Sequence, residues 1–184
     1  VAAAAVGIVA GPGNFKQNLN GDVFAKSRSY GTSVQVDYEL GEFTLTSISA
    51  YRRWFTKDGL DSDSSPANLL DINFGILKQS QVSQELRITS PTGGFLDYVA
   101  GVYFFKSGVH SASTQIFPAV PLPFFYRLAV IDAETRNIAA FGQANFNISE
   151  DLRLIAGARV LNEKVDAEKY RQDARMGLSD SATA

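Results

Sequence analysis

Apolar and polar residues alternate with a period of two along most of the chain, which predicts β-strands with one apolar face. In Thr32–Leu40, Val34, Val36, Tyr38 and Leu40 share one parity, and Ser33, Gln35, Asp37 and Glu39 share the other. Val82–Thr89 repeats this, with Leu86 and Ile88 set against Ser83, Glu85, Arg87 and Thr89. Leu96, Tyr98, Ala100, Val102 and Phe104 make a third stripe, although the opposite parity (Phe95, Val99, Tyr103, Phe105) is also fairly apolar. In Asn137–Ile148, Ile138, Ala140, Ala144, Phe146 and Ile148 oppose Asn137, Gln143, Asn145 and Asn147. Leu152, Leu154, Ala156, Ala158 and Val160 then oppose Arg153 and Arg159. Phe43–Thr56 has strand composition but mixed phase: Phe43, Leu45, Tyr51 and Phe55 share parity with Ser47 and Ser49, while Ile48, Ala50 and Trp54 lie opposite. A bulge near Ser47 or two half-buried faces would each produce that pattern.

The connections carry the architecture. Gly41-Glu42, Pro91–Gly94 and Ser149–Asp151 read as short hairpin turns, and Lys57–Lys78 and Lys106–Thr135 as long links. Short and long connections alternate, so every short turn falls at one end of the sheet and every long one at the other. A soluble sandwich has no reason to keep that rule; an outer-membrane β-barrel does. A strand such as Phe43–Thr56 would run ~45 Å at ~3.3 Å per residue, beyond the ~9–11 residues of a tilted membrane crossing. The apolar stripes then face hydrocarbon and the polar stripes a hydrated or plugged interior. Tyr38, Phe43, Tyr98 and Phe146 fall near the short turns, where aromatic residues of a membrane interface belong. About six strands cannot close a barrel, which takes at least ~8 in one bacterial chain, and an open sheet would leave unpaired edges in lipid. The expected fold is all-β: an antiparallel meander of about six long strands, part of a transmembrane outer-membrane β-barrel. The start at Val1 rather than Met and the loose C-terminal end fit a piece of a longer chain.

Composition narrows the chemistry. The chain has no Cys, and its one histidine, His110, cannot build a multi-histidine metal site. A net charge of −2 without a basic run argues against a nucleic-acid partner. At 45% hydrophobic residues the chain is neither disordered nor a helical membrane protein. The apolar Val1–Gly11 lacks a basic flank and falls far short of the ~20 residues of a membrane-spanning helix, so it reads as a loop or strand end. Thirteen Phe and seven Tyr against one Met suit strands and lipid–water interfaces.

Candidate sites are few. Asp58, Asp61, Asp63 and Asp71 suggest a cation loop, but the order of ligands, the mid-loop Gly and the closing Glu of an EF-hand are missing. His110, read as the start of the second long link, has no nearby acid to complete a triad. No nucleophile–base pair is legible, so neither an enzyme nor a cofactor is expected. Glu85, Arg87, Arg153 and Arg159 fall on the interior parity, where they could meet a plug or a passing solute, or simply form ion pairs. Phe117, Phe124, Phe125 and Tyr126, stiffened by three intervening prolines, could form an aromatic outer loop that grips a ligand or packs on its neighbours.

The run YGTSVQVDYELGEFTLTSISAYRRW resembles a strand–turn–strand segment of proteobacterial TonB-dependent outer-membrane receptors, especially the sphingomonad-type, siderophore-receptor-like group. SQELRITSP…DYVAGVYFF and AAFGQANFNISEDLRLIAGARV are similar to the next two hairpins, in the same order, so the likeness covers roughly residues 30–165. The resemblance implies a 22-stranded barrel with an N-terminal plug, importing a scarce ligand with energy passed from an inner-membrane complex. It places the whole of 1–184 in a partial barrel domain: 1–30 as an outer loop or partial strand, 31–170 as three hairpins and 171–184 as a loop. The plug is expected to lie outside this stretch. The implied partners are outer-membrane lipid, the plug and remaining strands, the inner-membrane TonB complex and a small ligand, with an iron–siderophore complex as the family default. The implied location is the Gram-negative outer membrane. The competing reading is a soluble β-sandwich that binds a ligand or glycan through its aromatic loop.

Overall fold

The structure, a computed structural model, describes residues 11–13, 15, 18–62, 66, 72–117 and 124–176. They form β1 (Phe24–Leu40), β2 (Phe43–Gly59), β3 (Ile72–Thr89), β4 (Leu96–Phe117), β5 (Phe124–Asn147) and β6 (Arg153–Met176). The strands pair antiparallel with their sequence neighbours in one six-stranded sheet, β1-β2-β3-β4-β5-β6. Among the described residues no second layer packs on it, and Ala139 is the one buried apolar residue. A sandwich needs two sheets closing on a common apolar core, so that architecture is excluded for the described part.

The strands are 17 to 24 residues long, roughly twice what a tilted membrane crossing needs. This corrects the expected connections. Most of the predicted long links are strand: β2 continues to Gly59, β3 begins at Ile72, β4 runs to Phe117 and β5 begins at Phe124. Beyond the apolar rows alternation stops being hydrophobic, so the periodic signal fades while the backbone ladder continues. Charged pairs line this part, across strands between Lys106 Nζ and Glu134 Oε2 at 2.8 Å and along β6 between Lys164 Nζ and Asp166 Oδ2 at 2.9 Å. Within the stretch expected as an outer loop or partial strand β1 begins at Phe24, and β6 passes residue 170.

The short turns are as expected. Leu40 pairs with Phe43, and Gly41 between them has φ 64°, a left-handed conformation that glycine adopts without a Cβ penalty. At the second turn Ser90 N donates to Tyr98 O at 2.9 Å, and Tyr98 N returns a bond to Ser90 Oγ at 2.8 Å. Asp97 accepts from Gly93 N and from Asn147 Nδ2, and Arg153 Nε donates to Asn147 Oδ1 at 2.8 Å. These bonds join β4, β5 and β6 at the short-turn end.

Register sorts every residue onto one of two faces. β1 even, β2 odd and the even positions of β3–β6 are in register with one another and form the first face. All the apolar stripes of the sequence fall there: Val34, Val36 and Tyr38 on β1, Leu86 on β3, Val102 on β4, Ile138 on β5 and Val160 on β6. They stay exposed, Ile138 at 61% and Val160 at 75%, so no part of the described chain covers them. The mixed phase of β2 has a plain answer. Residues 24–40 pair one for one with 59–43, so there is no bulge. Ser47 and Ser49 sit within the apolar face, Ser47 opposite Val36 and Leu86, Ser49 opposite Val34 and Gln84.

Candidate functional site

The second face carries the polar side chains and the crowded positions. Thr46, Asp97, Ser107 and Ala139 are all buried, and all lie on it. Small buried residues belong on the inner side of a curved sheet, where neighbouring side chains converge. Glu85, Arg87, Arg153 and Arg159 all lie on this face. Glu85 and Arg87 are in register with Tyr103 and Gly101 and lie 3.7 Å apart as an ion pair. Arg159 lies over the Tyr103 ring at 5.5 Å, a cation–π contact. Arg153 is held at the turn end by Asn147.

The same face holds a recess that parity reading passed over. Ser29, Arg52, Trp54, Gln79 and Gln81 line a cavity of about 430 Å³ on β1, β2 and β3. Trp54 Nε1 donates to Ser27 Oγ at 2.6 Å, and Ser27 in turn lies 3.3 Å from Thr56 Oγ1, which fixes the indole against the strand. Gln79 Nε2 donates to Ser107 Oγ at 3.3 Å and is anchored likewise. Arg52 enters no ion pair among the described residues. A guanidinium beside a pinned indole, with two amides, suits a planar or anionic solute. The available signal was the parity of Trp54, which sits opposite Phe43 and Leu45 along β2. The mixed phase of that strand hid it.

The aromatic cluster is not a loop. Phe117 ends β4, and Phe124, Phe125 and Tyr126 begin β5, with Phe117 in register with Phe125 and Tyr126 with Ile116. Phe117 and Tyr126 therefore fall on opposite faces. The proline-containing connection, 118–123, lies outside the described residues, as do Asp63 and Asp71 of the acidic stretch. Asp61 of that stretch is buried and accepts from Asn20 N and Gly21 N at 3.2 and 3.3 Å, so it ties the approach to β1 onto the end of β2. His110 is also relocated. It lies within β4, directly opposite Asp132 of β5, with Nδ1 2.7 Å from Oδ1. The acid missing from its sequence neighbourhood comes from the next strand.

On the first face, Tyr38, Phe43, Tyr98 and Phe146 all lie toward the short turns. Phe43 and Tyr98 rings are 6.4 Å apart, and Phe146 meets Phe95 edge-on at 6.2 Å. Parity had set Phe95 on the other face; it precedes the first paired residue of β4, where parity no longer applies. At the far end a charged belt crosses β4, β5 and β6. Glu134 accepts from Lys106 and Arg136 there, and these hydrogen bonds hold its carboxyl below the usual carboxylate pKa. Glu134 lies above the last apolar row, at Ile138. Its contribution to stability is therefore complete above the unfolded pKa near ~4.3 and is lost as pH falls through the lower folded value. Unfolding midpoints of the parent and Glu134→Gln should differ by a constant amount above about pH 5 and converge toward about pH 3. A difference that persists undiminished at the acid end overturns this assignment.

A single sheet with short turns at one end, long strands and one exposed apolar face agrees with the family comparison. A family model described as TonB dependent receptor-like, beta-barrel matches residues 5–183. The chain belongs to the TonB-dependent receptor-like β-barrel family. The family is one of transport receptors, not of enzymes. The fold also matches the crystal structure of the ferric yersiniabactin uptake receptor FyuA from Yersinia pestis, with a TM-score of 0.66 at 17% sequence identity. The match covers 83% of this chain and 25% of that receptor, so the barrel segment spans about a quarter of the length of the protein it matches. No curated protein sequence matches the chain.

Proposed function

We propose that this segment is part of the wall of an outer-membrane receptor for active uptake of a scarce ligand, with an iron–siderophore complex as the first candidate. The observation that carries the reading is the exposed apolar band confined to one face of a single sheet. On β4 it runs from Leu96 to Phe104, about nine residues, which is the height of a tilted crossing. The first face then meets outer-membrane lipid, with Tyr38, Phe43, Tyr98 and Phe146 at the interface nearer the short turns. The second face lines the interior, where Glu85, Arg87, Arg153 and Arg159 would face a plug. The likeness in fold to the ferric yersiniabactin uptake receptor of Yersinia pestis supports the ligand class. Energy would come through the plug from an inner-membrane TonB complex. The strand ends at Phe117 and Phe124–Tyr126 and the recess at Arg52 and Trp54 are the proposed contacts for ligand.

Uptake of radiolabelled iron, presented on catecholate, hydroxamate and citrate carriers in turn, tests this in cells expressing the full-length protein. At least one carrier should be taken up, and Arg52→Ala and Trp54→Ala should each lower its uptake about tenfold, equivalent to about 1.4 kcal/mol of lost binding. Equal iron uptake with and without the protein, on every carrier, would remove iron as the cargo. Uptake insensitive to both substitutions would remove the recess as the contact.

A further inference from the structure

We propose that the outward face of β1, β2 and β3 holds an anionic membrane lipid, its acyl chain in a recess of the apolar band and its phosphate on the cations just above. The inference rests on the reading that the first face meets the membrane.

The recess comes from the serines that blurred the phase of β2. Val34, Ser49, Tyr51, Val82, Gln84 and Phe104 line a hollow of about 410 Å³. The small side chain of Ser49 lowers the floor between larger apolar neighbours. The polar floor is satisfied internally. Ser49 Oγ and Gln84 Oε1 are hydrogen-bonded, and Gln84 Nε2 donates to Ser47 Oγ at 3.0 Å. A floor that needs no water accepts a hydrocarbon chain without loss of hydrogen bonds.

The next rows along the same strands are basic. Lys26, Arg28, Tyr30, Arg53 and Lys78 line a second hollow of about 490 Å³. It adjoins the first, because Tyr30 and Arg53 pair one same-face step beyond Thr32 and Tyr51. Lys57 adds a further cation directly opposite Lys26. Like charges directly opposed across a ladder destabilise it unless an anion stands between them. The Nζ atoms of both lysines lie 5.9 Å from the Phe24 ring, which is a weak substitute for a carboxylate. None of these cations enters an ion pair among the described residues.

The equivalent belt on β4–β6 is compensated. Lys106 and Arg136 meet Glu134, and Lys164 meets Asp166. Arg53 and Lys78 also border a hollow lined by Asp132, Glu134, Asp166 and Glu168, so the charge farthest from any acid is that of Lys26, Arg28 and Lys57, on the strands that also carry the recess. Charge complementarity selects a phosphate, and the adjoining apolar hollow selects a phosphate that carries an acyl chain.

Native mass spectrometry of the full-length protein in a non-ionic detergent tests this, titrated with dioleoyl phosphatidylglycerol or dioleoyl phosphatidylcholine. The wild type should retain the phosphatidylglycerol at least about tenfold better, a preference that shrinks between roughly 50 and roughly 500 mM salt. Arg28→Gln/Arg53→Gln/Lys78→Gln should reduce the preference to about twofold or less, and Arg136→Gln/Lys164→Gln should leave it intact. No preference in the wild type, or a preference that survives the triple substitution, overturns the proposal. Should the triple variant fail to assemble, the wild-type preference and its salt dependence decide alone. Single cysteines at Val34 and Val160, labelled and exposed to nitroxide lipids, separate the two readings. Quenching at both without a headgroup preference sinks the lipid site alone; no quenching at either sinks the membrane assignment beneath it.

Discussion

Leu86→Arg should cost the assembled barrel about 2–4 kcal/mol, the penalty of a cation near the middle of the band we propose to face lipid. Leu86 is 43% exposed and in register with Ser47 and Val102, within the apolar face. The matched control is Ser83→Arg on the same strand. Ser83 is in register with Ala50 and Phe105 on the second face, where an interior arginine has water and polar neighbours, and its cost should stay within about 1 kcal/mol. Denaturant titration of the full-length protein in lipid vesicles reads both. A larger loss from Ser83→Arg than from Leu86→Arg would reverse the assignment of the faces.

Gly101→Ala should destabilise by about 1–3 kcal/mol, whereas Gly142→Ala should be neutral or stabilise by up to about 1 kcal/mol. A Cβ on Gly101 would stand 2.6 Å from Phe141 Cζ and 2.7 Å from the backbone oxygen of Leu86. The ring can turn aside, but the carbonyl is part of the ladder and cannot. At Gly142 the nearest atom would be Val99 O at 3.5 Å, an ordinary contact. The same unfolding measurement distinguishes them, and equal effects at the two sites would show that the packing of Phe141 over Gly101 contributes nothing.

These two glycines mark what a sequence conceals. Both sit in strands of alternating residues, and nothing local tells which one lies beneath an aromatic ring. His110 shows the same limit. Its neighbours Ser111 and Ser113 offered no acid, because the acid, Asp132, stands 22 residues away and is brought close only by the ladder. Arg52 and Trp54 were equally invisible as a pair with Gln79 and Gln81, since a recess on three strands has no signature along one of them. Strand ends failed for a different reason. Periodicity reports a strand through the contrast between its faces, and above the apolar band that contrast is lost: the end of β4 is small or polar on both faces, and the start of β5 carries apolar residues on both, Leu128 and Val130 on one and Ile131 on the other.

What the residues alone determined is the wall itself: its strands near the short turns, those turns, and the side of each strand that is apolar. A period of two and a short turn are local properties, written within a few residues by steric alternation and by glycine at Gly41. Only the tertiary structure decided the register. Register places Ser47 and Ser49 in the apolar face without a bulge, gathers the cations of β1, β2 and β3 above them, and brings Lys106 of β4 against Glu134 of β5. Pairing between strands joins residues far apart in the chain, so its outcome cannot be read from any one of them.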